Sequence, residues 1–204
     1  MKISLIHNRL TSLYHNAIIC IMEKLSVSDL YSVDQQALEI FFDECKRLGY
    51  VNNISHETIK TEFVKERFGN IWFLSKDNRI ISMAGCHRFD EISTSAFRIL
   101  YRGCDLPGTD VKKTLSRSQF NAACFRELVP YQLAWITSKG YDKNEAYLTV
   151  NMGNRNHRAM CLIEKQGFLE RIGDIEIFYT EQTVWKFNTE HYESVRKTIK
   201  SYVE

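Results

Sequence analysis

AYLTVNMGNRNHRAMCLIEKQGF, residues 146–168, changes its periodicity part-way along. From Ala146 to Val150 the pattern alternates, with Tyr147 and Thr149 on one face and Leu148 and Val150 on the other. β-Branched and aromatic residues at period two predict a strand. Asn151-Met152-Gly153-Asn154 reads as a polar turn. After it, Ala159, Leu162, Ile163 and Gln166 stand at i, i+3, i+4 and i+7, which predicts a helix with the first three on a core-facing stripe. Asn154 or Asn156 can cap that helix, Gly167 can end it, and Phe168 returns to the core. A strand leading into an Asn-capped helix leaves backbone N–H groups and the positive end of the helix dipole at the sheet edge, where an anion is favoured.

Towards the C-terminus, Ile175 to Tyr179 and Thr183 to Phe187 read as a hairpin, and Thr189 to Tyr202 as a polar helix. Towards the N-terminus the reading from Arg102 to Gly140 is less simple. Asp105-Leu106-Pro107-Gly108 is a strong turn, and Ser116 or Ser118 can cap a helix reaching Ser138 with Phe120, Ala123, Cys124, Glu127 and Leu128 near one side. Pro130 makes it either one kinked helix or two, the second beginning with proline in its first turn.

Before that, Ile71 to Ser75 and Ile80 to Phe89 form a predicted hairpin across Lys76-Asp77-Asn78-Arg79, and Ala96 to Tyr101 a third strand. Val33 to Leu48 carries Ala37, Leu38, Phe41, Phe42, Cys45 and Leu48 at helical spacing, with Ser32 or Asp34 as cap and Gly49 as stop. His56 to Phe68 reads as a second helix with Ile59, Phe63 and Val64 inward. Ala17 to Leu25 reads as a buried strand ended by Ser26-Val27-Ser28-Asp29, and residues 1–16 as an N-terminal extension.

The 204 residues suffice for one domain with a full core. Apolar content of 44% and charged content of 25% are those of a globular chain, and a net charge of +2 gives no bulk signal for nucleic acid or anionic membrane. Cys20, Cys45, Cys86, Cys104, Cys124 and Cys161 form no CxxC pair and have no close histidine in the sequence, so they read as reduced thiols rather than a disulfide or zinc framework. No metal is expected. Ala17 to Met22 is too short to span a bilayer, and Asn8, Arg9 and His15 interrupt any signal-peptide core, so a cytoplasmic location is expected.

Asn156-His157-Arg158-Ala159, followed after seven residues by Gly167-Phe168, resembles the Asn-x-x-Ala…Gly-Phe segment of the GNAT acyltransferase superfamily. The element order β-α-α-β-β-β-α-β-α-β-β is also similar to that family's, over about residues 17–187. The resemblance implies an α+β fold, an α/β/α sandwich with a mixed, mostly antiparallel central sheet and helices on both faces. It implies a single domain over 1–204, with 189–204 as a C-terminal helix. It also implies transfer of an acyl group, acetyl first, from coenzyme A to an amine by direct attack on the thioester. In the family the donor's pantetheine arm enters a V-shaped split between the fourth and fifth strands.

By that resemblance the donor is held by Leu100, Tyr101, Arg102, Arg117, Ser118, Asn151, Asn156 and Arg158. The acceptor, an amine not otherwise specified, would meet Asn52 and Asn53. Two departures stand out. The family's Gly-x-Gly pyrophosphate turn is missing, leaving Asn121, Ala122, Ala123 and the charges of Arg102, Lys112, Lys113 and Arg117 as substitutes. The family's general-acid tyrosine, four residues before Gly-Phe, is Ile163, which has no proton to give.

His87, in Gly85-Cys86-His87-Arg88-Phe89, is the candidate catalytic residue, because an imidazole titrating near neutrality can take a proton from an amine. A hydrogen-bonded strand histidine is the alternative. His157, in the helix's first turn, is expected to meet phosphate or solvent. Two other functions fit the departures: an acyl or aminoacyl transferase using a non-CoA donor or modifying a nucleic-acid base, disfavoured by the low net charge, and a non-catalytic binding module.

Overall fold

The structure, a computed structural model, describes residues 25–47, 59–76, 78–103, 117–153, 156–177 and 179–201. Seven strands, β1 (Leu25–Asp29), β2 (Gly69–Lys76), β3 (Arg79–Arg88), β4 (Phe97–Gly103), β5 (Ala146–Asn151), β6 (Leu169–Ile177) and β7 (Thr180–Phe187), are hydrogen-bonded in the order β1-β2-β3-β4-β5-β7-β6. The α-helices are α1 (Gln35–Arg47), α2 (Arg117–Ser138), α3 (Asn156–Lys165) and α4 (Thr189–Ser201). The sheet is mixed: β4 and β5 are parallel, while β1–β2, β5–β7 and β6–β7 are antiparallel. This is the element order read from the sequence, with a 3₁₀ turn at Lys143–Glu145 added, its first N–H groups capped by Asp142.

The residues group into two compact units, the first drawn from residues up to 61, 71–84 and 101–129, the second from 62–70, 85–100 and 130–204. In the first, the strand expected at Ala17 to Leu25 is corrected. Residues 17–24 lie outside the described residues, and the supposed break Ser26-Val27-Ser28-Asp29 is itself the strand, paired from Leu25↔Lys76 to Asp29↔Trp72. β1 is a sheet edge and mostly half-buried, so serines cost little there. The break comes at Asp29, whose Oδ1 accepts from Ser32 N (2.9 Å), Ser32 Oγ (2.7 Å) and Tyr31 N (3.1 Å). Asp34, not Ser32, caps α1, accepting from Ala37 N at 2.7 Å. α1 buries Leu38, Phe41, Phe42 and Cys45, and Phe73 of β2 stands edge-on to both Phe41 and Phe42.

The helix expected at His56 to Phe68 is present as a π-helical segment, Ile59–Glu66. The choice at Pro130 resolves to one continuous helix, α2, with proline inside it.

In the second unit, Phe89, Ala96, Tyr147, Ile177 and Val184 form a core cluster. A second set of rings joins it to α2: Trp135 lies against Phe68 and Phe97, and Tyr141 packs on Phe97 at 4.9 Å. Ala146 to Thr149 are buried on both faces, so the alternation of β5 marks an interior strand with no solvent side. The terminal hairpin turns earlier than read. Tyr179 sits at the tip with φ +60°, and Thr180 to Gln182, taken as the turn, belong to β7. Asn188 Oδ1 caps α4, accepting from His191 N at 3.0 Å.

β6 carries a bulge between Arg171 and Gly173. Arg171 pairs with Trp185, while Asp174 pairs with Thr183. Three residues apart, Arg171 and Asp174 would face opposite ways on a regular strand; the extra residue puts them on one face.

Candidate active site

β5, its turn and α3 form the frame. Asn151, the last residue of β5, turns its Oδ1 back to accept from Gly153 N at 2.9 Å, an Asx turn that fixes the step from strand to helix. Asn156 is the first residue of α3, Arg158 is exposed on its first turn, and Asn154 lies outside the described residues. The helix ends at Gly167, with φ +83° and its N–H on Glu164 O at 2.8 Å.

Beside this frame β4 and β5 begin as neighbours. Phe97 pairs with Ala146 and Arg98 with Tyr147, and among the described residues the pairing goes no further: Ile99 and Leu148, next on each strand, are not partnered. From that point the β4-facing edge of β5 is open in the second unit.

His87 lies on β3, 2% exposed. Its Nδ1 is 2.5 Å from Arg88 O, and since a carbonyl only accepts, Nδ1 carries the proton and Nε2 the lone pair. Burial pulls its pKa down to about 4, helped by the charges of Arg98 and Arg67, while the Arg88 carbonyl and Asp90 pull the other way. The expectation of titration near neutrality is therefore corrected: this imidazole is neutral at pH 7. Gln132 of α2 holds the same strand, donating to Gly85 O at 2.6 Å.

A polar network that the sequence gave no reason to single out lies close to the β4–β5 opening. Gln182 Oε1 accepts from Thr149 Oγ1 at 2.7 Å and from Arg98 Nη2 at 3.0 Å. Arg98 also lies over the Phe89 ring at 5.8 Å. An arginine inside an apolar strand, FRILY, was the available signal.

The other sequence-derived positions divide between the units. Leu100 falls with His87, Asn151, Asn156 and Arg158 in the second; Tyr101, Arg102, Arg117 and Ser118 fall in the first. Leu100, Tyr101 and Arg102 are in β4, and Arg117 and Ser118 open α2. Asn52 and Asn53 lie outside the described residues.

α3 is rotated from the expected facing. Leu162, assigned to the core stripe, is 54% exposed. The sheet-facing side is polar: His157 Nε2 meets Thr183 Oγ1 at 3.0 Å, and Glu164 Oε2 accepts from the buried Trp185 indole N–H at 3.0 Å. His157 thus faces β7, not phosphate or solvent. It also corrects the reading of the cysteines, because its Nδ1 lies 3.7 Å from Cys161 Sγ. Cys45 and Cys86 are free and buried. Among the described residues no grouping of three or more His, Cys, Asp or Glu could hold a metal ion, and no helix is long and apolar enough to cross a membrane.

No family model matches the sequence, and no curated protein matches it. Solved structures do match. A GNAT-family protein from Desulfovibrio desulfuricans is similar at 8% identity over 80% of this chain and 98% of that one, TM-score 0.53. The fold is that of the GNAT acetyltransferases. A spermidine N-acetyltransferase chimera of the Vibrio cholerae SpeG protein and hSSAT gives 13% identity over 84% and 99%, TM-score 0.53. The yncA protein of Salmonella typhimurium, solved with its cofactor acetyl-CoA, gives 9% identity over 80% and 93%, TM-score 0.50. At these identities the likeness is one of fold.

Proposed function

We propose that this chain is an acyl-CoA-dependent N-acyltransferase, acetyl transfer being the first choice, acting as one domain on an amine. The observation that carries the reading is the end of β4–β5 pairing at Arg98↔Tyr147 on a GNAT fold, followed at once by the Asn151 turn and the Asn156 helix. An open strand edge beside a helix N-terminus fits a ligand with amide groups along its arm and an anionic end. An acyl-CoA, when bound, supplies the thioester carbonyl that an amine attacks.

In this reading Leu100, Tyr101 and Arg102 follow the donor arm along β4, and Asn151 and Asn156 hold its amides. Arg117, Ser118 and Arg158 meet its phosphates, replacing the absent glycine turn with charge and hydroxyl. Asn52 and Asn53 face the acceptor. His87, with Nδ1–H committed to Arg88 O, accepts a hydrogen bond from the amine at Nε2 and orients it. Held neutral, it repels no cationic acceptor. With Ile163 in place of an acid, proton return to the leaving thiolate falls to solvent or to the acceptor itself.

Calorimetry with acetyl-CoA and longer acyl-CoAs tests the reading, followed by thiol release with a panel of amines. Micromolar binding of one acyl-CoA, weakened by Asn156→Ala, is the expected result. Binding of none overturns it.

A further inference from the structure

We infer that Cys161 is an activated thiol, a site of thiol–disulfide exchange with small-molecule disulfides, whose proton is taken by His157 under the direction of Thr183 and Asp174. Four side chains from three elements form one chain of contacts. Cys161 Sγ is 3.7 Å from His157 Nδ1, at i, i+4 on α3. His157 Nε2 is 3.0 Å from Thr183 Oγ1 on β7. Thr183 hydrogen-bonds the carboxylate of Asp174, its cross-strand partner on β6.

The order of donors follows from the far end. An ionised carboxylate only accepts, so Thr183 O–H must donate to Asp174. The Thr183 oxygen is then left to accept from His157 Nε2–H. Nδ1 therefore bears the lone pair, and it is the nitrogen that faces the thiol. Every bond in the chain runs in the direction that carries positive charge away from sulfur, the arrangement of a nucleophile, its base and the group that orients the base.

The surroundings hold this tautomer. Thr183 is 0% exposed, so its hydroxyl has no water to turn to. The His157 ring packs on Trp185 at 5.4 Å. The charged groups around the pair are Asp174, bridged to Arg171 Nη2 at 2.9 and 3.0 Å, and Glu164, engaged by Trp185. Arg158 on the same helix is exposed. The bulge that puts Arg171 and Asp174 on one face is thus what aims the carboxylate at Thr183.

Cys161 is half-buried and reachable, whereas Cys86 is fully buried without any such base, and burial pushes its thiol well up. In the reaction Nδ1 takes the Cys161 proton and the thiolate attacks one sulfur of the disulfide. A new S–S bond forms at Cys161, the old one breaks, and the departing thiolate recovers the proton from the imidazolium. Cys161 is oxidised and the departing half is reduced.

The test treats the full chain with 2-hydroxyethyl disulfide at a series of pH values and follows the Cys161 peptide by mass spectrometry. In the native protein the rate should vary by less than about threefold between pH 6.5 and 8.5, because the relay supplies thiolate below the ordinary thiol pKa. Asp174→Asn and His157→Gln should each slow it about tenfold near pH 7 and restore the roughly tenfold rise per pH unit of an unassisted thiol. Asp174 is exposed, so its variant keeps the fold if His157→Gln does not. The inference is overturned if Cys161 is not modified, or if native and Asp174→Asn proteins share one pH profile.

Discussion

A Cβ built on Gly167 would stand 3.4 Å from Nε2 of His191, in the residue pair that joins the end of α3 to α4. The Phe168 ring packs on the same imidazole at 4.7 Å. Gly167 also has φ +83°, where side chains are strained. Gly167→Ala should therefore destabilise the fold by about 1–2 kcal/mol, mostly through backbone conformation. A urea melt reads this as a lower midpoint at unchanged slope; an unchanged midpoint would show that the turn relaxes without cost.

Trp185 is fully buried and its indole N–H is satisfied by Glu164. Glu164→Ala strands that donor and should cost about 1–3 kcal/mol, while Glu164→Gln keeps an acceptor oxygen and should cost less than half as much. Equal losses in the two variants would remove the hydrogen bond from the account.

The pH dependence of stability carries the mark of His87. Its pKa falls from 6.5 unfolded to about 4 folded, so the unfolded chain binds the extra proton between those values. Stability is whole above about pH 6.5 and declines as pH drops towards 4, by about 3 kcal/mol for this group. In His87→Gln that part of the decline should vanish. Parallel curves for the two proteins from pH 7 to 4 would refute the burial of a neutral imidazole.

Pro130 lies inside α2. It removes one helical N–H and crowds the carbonyl four residues back, so Pro130→Ala should stabilise by about 1–2 kcal/mol after the unfolded chain's gain in freedom is deducted. A raised thermal midpoint is the check.

Much of the architecture was legible because pattern and punctuation agree. β5, its Asn turn, α3 and the Gly167 stop follow from 146–168 alone, and the α1 stripe of Leu38, Phe41, Phe42 and Cys45 buries as read. What escaped has a common cause. Hydrophobic periodicity cannot see a face that is polar because its partner is polar, so Leu162 was turned inward where His157, Cys161 and Glu164 belong. It likewise mistook the edge serines of β1 for a break. His87 was visible as a polar residue in an apolar strand, but its charge state depends on burial and on Arg98 and Arg67, which only the fold brings near.

The irregularity in β6 has one more consequence. β6 closes one side of the sheet, so its outer row of amides and carbonyls is a template on which a foreign strand could zip. Nine residues without interruption would be a long one. The extra residue near Ile172, itself 52% exposed, throws that row out of step in its first half, so an incoming strand finds no continuous register to follow. The same kink that aims a carboxylate inward blunts the margin against runaway assembly.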